Sequence, residues 1–171
     1  MLTDESERAP LPVFPHTGPG SMPSLGLRLA ARLFDFLVLS LPWLALHWPY
    51  LRFEGTEMSL RQLPHWVSVL AVVIPVAYEV VFLLLFRATP GKLLFGMRVA
   101  GFASGGHPNG HQLVMRAIVP FLGSLLTLAM PTGAPAAVLA MVEPVVFGWV
   151  LFDPYRRGWH DRAAGTVVLR V

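Results

Sequence analysis

The sequence predicts an all-α integral membrane protein that crosses the bilayer four times with both termini in the cytoplasm. Three observations carry this. Of the 171 residues 54% are hydrophobic against 13% charged, and the mean hydropathy is +0.59, far from the balance of a soluble domain. Four apolar segments, 27–48, 66–86, 113–130 and 134–152, each come near the length of about 20 residues that a spanning helix needs. Of the 13 Lys and Arg, Arg52 and Arg61 alone fall between the first two segments. Basic residues favour the cytoplasmic side, so the remainder, gathered at the N-terminus, the central loop and the C-terminus, favour an even number of crossings. Three crossings would export Arg156, Arg157, Arg162 and Arg170.

Residues 1–24 carry Asp4, Glu5 and Glu7, then a run of prolines ending at Pro23. They contain no apolar core of the kind a signal peptide requires and are expected to form a disordered cytoplasmic tail, leaving 25–171 as one membrane domain. The first span, 27–48, contains Pro42, and Trp43, Trp48 and Tyr50 near its end cluster with Trp66 at the expected outer interface, where amphipathic rings settle. The second, 66–86, contains Pro75. A proline frees a carbonyl one turn earlier, and such carbonyls can line a transport path.

The loop from Arg87 to Gln112 is rich in Gly and Pro, and Pro90–Gly91 suits the central positions of a type II turn. Met97–Phe102 and Gly165–Val171 have strand-like composition and are expected to pair at the cytoplasmic surface. The third span, 113–130, begins around Arg116, and Pro131, Thr132 and Gly133 alone separate it from the fourth, 134–152. A re-entrant or interfacial hairpin is the alternative for that pair. Trp149, Tyr155 and Trp159 flank the inner interface.

Composition and spacing also exclude several functions. The pI is near 10.0, but the basic residues sit at the ends of apolar segments without interleaved aromatics, so nucleic acid is not an expected partner. There is no cysteine, hence no disulfide or thiolate chemistry. Thr89-Pro90-Gly91-Lys92 resembles the end of a phosphate loop, yet Leu93 follows the lysine and Phe86 takes the first glycine's place, so nucleotide binding is rejected. His107 and His111 flank Pro108, Asn109 and Gly110 and read as a solvated loop, not a metal site. No catalytic set is recognisable, and neither enzyme activity, metal nor cofactor is expected.

What remains is charge inside apolar segments. At 100° per residue, Arg28, Arg32 and Asp35 fall within a sector of about 60°, so one helix face presents all three. Arg32 is placed to pair with Asp35. Arg28, about 10 Å away along the axis, either snorkels to the headgroups or meets another helix. Glu79 in the second span and Glu143 in the fourth lie at a depth of about 10 to 14 Å from the inner end, comparable with Asp35. If the three carboxylates converge, their mutual repulsion favours holding a proton or small monovalent cation, and Asp35, Glu79, Glu143 and Arg32 are the candidate site. The bland alternative is that each carboxylate separately bonds a neighbouring helix.

Three blocks of sequence resemble the RDD family, small bacterial membrane proteins named for one arginine and two aspartates. They are Arg28, Ala31 and Asp35; Thr89, Pro90, Gly91, Lys92, Gly96 and Val99; and His160, Asp161, Ala164, Gly165, Thr166 and Val167. The resemblance implies that Arg28, Asp35 and Asp161 are the family triad, that Thr89–Lys92 with His160 form a cytoplasmic motif, and that the protein sits in the bacterial cytoplasmic membrane. It also implies transport, with sodium/proton exchange as one form. Asp161, with Arg156, Arg157, Arg162 and His160 nearby, is expected to pair with Arg28 or Lys92 across the bundle mouth. The leading expectation is therefore a proton or small-cation transporter with the lipid bilayer as its surroundings. The competing one is a non-transporting scaffold or assembly module. Four short helices enclose little space, so a solute larger than an ion would need a homo-oligomer.

Overall fold

The computed structural model describes residues 12–55, 57–60, 62–129 and 142–171. Helix α1 spans Leu25–His47 and starts on Ser24, whose hydroxyl accepts the Leu27 N–H at 3.2 Å and satisfies one of the free donors of the first turn. It runs through Pro42 and ends in a 3-10 turn, Trp48–Tyr50. A hairpin of β1, Leu51–Glu54, and β2, Glu57–Leu60, leads to α2, His65–Phe86. This hairpin joins the first two helices that are long and apolar enough to cross a membrane. Its Gly55 adopts φ 63°, the left-handed conformation a tight hairpin asks for.

After α2 come a five-residue helix α3, Pro90–Leu94, and β3, Met97–Gly101. Helix α4, Gly110–Ile118, opens on a reciprocal cap in which Asn109 and Gln112 each accept the other's backbone N–H. A 3-10 turn at Val119–Phe121, around Pro120, joins it to α5, Leu122–Ala129. Helix α6, Val142–Gly148, continues as a 3-10 turn, Trp149–Leu151. Helix α7, Trp159–Ala164, and β4, Thr166–Arg170, complete the chain.

Among the described residues three helical stretches are long and apolar enough to cross a membrane, Leu25–Tyr50, His65–Phe86 and Gly110–Leu128. Residues 134–141 of the fourth expected span lie outside the described residues, as do 1–11 of the expected tail. The expected strand pairing is present: β3 and β4 run antiparallel, with Met97 opposite Arg170 and Gly101 opposite Thr166.

Two expectations are corrected. Pro90–Gly91 opens a helix instead of a type II turn. Proline at the first helical position loses no hydrogen bond, and Gly91 is not among the positive-φ glycines that such a turn requires. Residues 12–24, expected as part of a disordered tail, make fixed contacts. Gly20 donates to the carbonyl of Arg170 at 2.8 Å, and Arg170 donates back to Ser21 at 2.9 Å. Phe14 packs against Phe102 and Tyr155. Phe14 and Met22 thus find partners on both strands of the sheet and on the loops beside them.

The compact core lies at this sheet end. Leu83, Val99, Leu113 and Ala117 form one buried cluster, Ala31, Met97 and Val168 a second, and Ala100, Val167 and Leu169 a third. Away from it the helices turn apolar side chains outward, Phe36, Leu37 and Leu41 on α1 and Leu85 on α2 among them, as a lipid solvent permits.

Candidate functional site

Asp35 on α1 is 1% exposed and is surrounded by donors. Its Oδ1 accepts the Tyr78 hydroxyl at 2.9 Å and the Gly91 N–H at 2.7 Å, and its Oδ2 accepts the Thr89 hydroxyl at 2.5 Å. The backbones are equally close: a β-carbon on Gly91 would lie 2.1 Å from the Ala31 carbonyl oxygen. Ala31 and Asp35 thus receive Thr89 and Gly91, so two of the three sequence motifs form one joint. Lys92 extends it by donating from Nζ to the Thr89 hydroxyl oxygen at 3.0 Å.

The expected Arg32–Asp35 pair is not made. Arg32 instead reaches across to Glu79, Nη1 to Oε1 at 2.6 Å, and its guanidinium lies 4.0 Å from the centre of the Phe147 ring. Adjacent residues of α2 therefore take adjacent acidic and basic positions of α1, Tyr78 with Asp35 and Glu79 with Arg32. The donors of the Thr89–Gly91 segment fill Asp35, and Arg32 takes Glu79 as a carboxylate partner. Asp35 and Glu79 do not share a site. Glu143 falls in α6, and its side chain is outside those described.

The third motif closes on the other two from the C-terminus. Arg28 donates from Nη1 to the Arg156 carbonyl and from Nη2 to the Val168 carbonyl at 3.1 Å. Asp161, 1% exposed, takes the Gly158 N–H at 3.2 Å and the Thr166 hydroxyl at 3.2 Å. Its ion partner is Arg116 of α4, Nε to Oδ1 at 3.0 Å, in place of the expected Arg28 or Lys92. Arg157 and Arg162 belong to Asp153, at 3.4 Å and 4.0 Å. Arg156 donates to the Pro23 carbonyl at 3.0 Å.

Burial acts to raise the Asp161 pKa, but Arg116 foremost, with Arg28 and the Gly158 N–H, overrides it and holds the carboxyl below its usual range. Burial pushes His160 down to about 3, against the pull of Asp161, so the ring is neutral at physiological pH. It packs on Phe147, with ring centres 4.8 Å apart. Burial also lowers Lys92 to about 8, against Glu79 acting in the opposite sense.

Two cavities meet the Arg32–Glu79 pair, the first through both residues and the second through Arg32 alone. One, of about 450 Å³ towards the sheet end, is lined by Arg28, Glu79, Lys92, Arg116, His160 and Asp161 over an apolar wall. The other, of about 500 Å³ towards the hairpin end, is lined by Phe36, Ser40, Trp43, Ala71, Pro75 and Phe121. Arg32 lines both. Pro75 lacks the N–H that would bond the Ala71 carbonyl one turn earlier, and both residues line the second cavity. Asp35 lines neither cavity. Among the described residues no three His, Asp or Glu side chains gather as a metal site.

Arg116, Tyr78 and Asp153 were not singled out as site residues from the sequence. Arg116 carried a usable signal, as an arginine inside an apolar segment needs an anionic or carbonyl partner. Tyr78 and Asp153 carried none, since a tyrosine in a span and an aspartate in a basic loop are both ordinary.

The sequence profile of the RDD family matches residues 22–165, a range that contains the first two motifs and the third as far as Gly165. No curated protein and no solved structure matches the chain.

Proposed function

The chain belongs to the RDD family, and from that premise we propose that it is a multi-pass transporter of the bacterial cytoplasmic membrane that moves protons in exchange for a small monovalent cation, with Glu79 as the carboxylate that gains and loses the proton. The observation that carries this reading is the position of Arg32, which lines both cavities while bonded to Glu79 at 2.6 Å. An ion pair at a partition between two cavities is a gate that a proton can operate. Protonating Glu79 removes the charge that holds Arg32, and deprotonation restores the pair. Asp35, with both oxygens occupied by protein donors, holds the gate helices in register and is a positioning residue.

Four crossings with both termini cytoplasmic fit this reading. The start of α1, the end of α2, the start of α4 and the segment from α7 to β4 are joined at the sheet end, through Ser21–Arg170, Arg87–Val99 and Gln112–Gly165 bonds. A chain that leaves this end along α4 and α5 and returns to it at α7 crosses an even number of times. The basic residues at that end then face the cytoplasm.

The test is dissipation of a pH gradient in proteoliposomes on adding sodium, potassium or lithium. Cation-dependent proton movement by the wild type, lost in a folded Glu79→Gln variant and retained in a folded Asp35→Asn variant, is the expected result. No response to any of the three cations in intact vesicles would sink the reading. It would favour a membrane scaffold, which one observation supports: Asp35 joins α1 to α2 and to the Thr89–Gly91 segment through hydrogen bonds to both of its carboxylate oxygens.

A further inference from the structure

Among the described residues, the cavity at the sheet end is lined by more cations than carboxylates. Arg28, Arg32, Lys92 and Arg116 line it against Glu79 and Asp161. Glu79 is matched by Arg32 and Asp161 by Arg116. Lys92 bonds a hydroxyl and Arg28 bonds two carbonyls, so among the described side chains neither has a carboxylate within ion-pair distance. Arg116 is 2% exposed, and its Nε, although 3.0 Å from Asp161, lacks a properly directed hydrogen bond. Its two terminal nitrogens make no hydrogen bond to any described residue, and the side chain lines the cavity. Buried guanidinium groups in a low dielectric demand an acceptor.

We propose that this cavity is a binding site for a net-anionic phosphate group, carried by a lipid headgroup or present as free phosphate, seated between Lys92, Arg116 and Arg28. Its volume of about 450 Å³ lies within the range of ligand pockets. Arg28 follows the start of α1 by one turn, and Lys92 lies just beyond the end of α2, so the cations stand at the level where spanning helices meet headgroups. The rest of the wall is apolar, with Leu25, Leu29, Val150 and Leu151. Leu29 and Leu151 remain 60% and 65% exposed at its lip, where acyl chains have room. This inference concerns occupancy of the cavity and does not depend on proton movement at Glu79.

Lys92 is the sole lysine of the chain, which makes its amine a specific reporter in the unaltered protein. The purified full-length chain in neutral detergent is treated with an amine-acylating reagent, and modification of Lys92 is followed by peptide mass spectrometry. The added probes are short-chain phosphatidic acid, inorganic phosphate and short-chain phosphatidylcholine. Saturable protection by phosphatidic acid alone assigns the site to a lipid headgroup. Protection by inorganic phosphate alone assigns it to a free oxyanion, and protection by both supports the shared chemistry. In a folded Arg116→Gln variant the half-protecting concentration is expected to rise about tenfold, as loss of a charge-assisted contact does. Protection by neither anion, equal protection by phosphatidylcholine, or unchanged protection in that variant overturns the proposal. If Arg116→Gln does not fold, the three-probe comparison on the wild type decides alone. Because no ion gradient is involved, a failure here is separate from a failure of the transport assay.

Discussion

Gly91 donates its backbone N–H to the carboxylate of Asp35 at 2.7 Å, at a closeness of approach that leaves no room for a side chain. The loop after α2 is thereby pinned to the middle of α1. A β-carbon at this position would meet the backbone of Ala31, which cannot swing aside as a flexible side chain would. Gly91→Ala is expected to lower stability by at least about 1–3 kcal/mol, the cost of overpacking a filled site. Thermal unfolding in detergent measures it, and a melting temperature equal to the wild type would refute the joint.

The Arg116–Asp161 pair is buried on both sides, whereas the Arg162 side chain is half exposed and only 4.0 Å from Asp153. Removing one member of a buried pair leaves a charge without compensation. Asp161→Asn is expected to cost about 3–5 kcal/mol, while Arg162→Gln is expected to cost about 0–1 kcal/mol. A double-mutant cycle over Arg116 and Asp161 checks the assignment. Additive losses would show that the two do not act together.

Lys92 yields a pH dependence of definite sign. Its folded pKa is lowered to about 8 from the ordinary 10.5, chiefly by burial. Between those values the unfolded chain binds a proton that the folded chain does not, so stability rises with pH. Below about 8 both states are charged and the full penalty applies. Denaturation across this window should show the increase in the wild type and a flatter profile in Lys92→Met. Identical profiles would contradict the burial of the amine.

If the Arg32–Glu79 pair partitions the two cavities, weakening it from the cationic side should open a leak. Arg32→Gln proteoliposomes are expected to lose an imposed pH gradient without added cation, severalfold faster than the wild type. Gradients held as long as in the wild type would mean that the pair is a strut and not a gate.

The sequence made the unusual charges visible but not their partners. Arg28, Arg32, Asp35 and Glu79 declare themselves because charge is costly inside apolar segments. Their pairing depends on helix rotation and on which loop returns to which helix, and periodicity on one helix carries neither. Hence the short-range choice of Arg32 for Asp35 fails against Glu79, 47 residues away. The β3–β4 pairing was legible because β-branched composition concentrates at Thr166–Val171, and the family profile covers residues 22–165, ending just before β4. The docked part of the N-terminal segment was not legible, since its bonds are to backbone atoms of Arg170 and backbone carries no sequence signature.

Strand β4 lies between β3 and the Gly20–Ser21 segment, so residues made after the spanning helices occupy the middle of the sheet-end assembly. Insertion of the helices by the translocon must therefore precede closure. Until Arg170 emerges, Arg28 lacks its Val168 carbonyl, and until Asp161 emerges, Arg116 lacks its carboxylate. The newly made chain thus holds unmatched arginines in the membrane for the duration of synthesis. A chain cut short before β4 would keep the Arg116–Asp161 pair but leave Arg28 without its Val168 carbonyl.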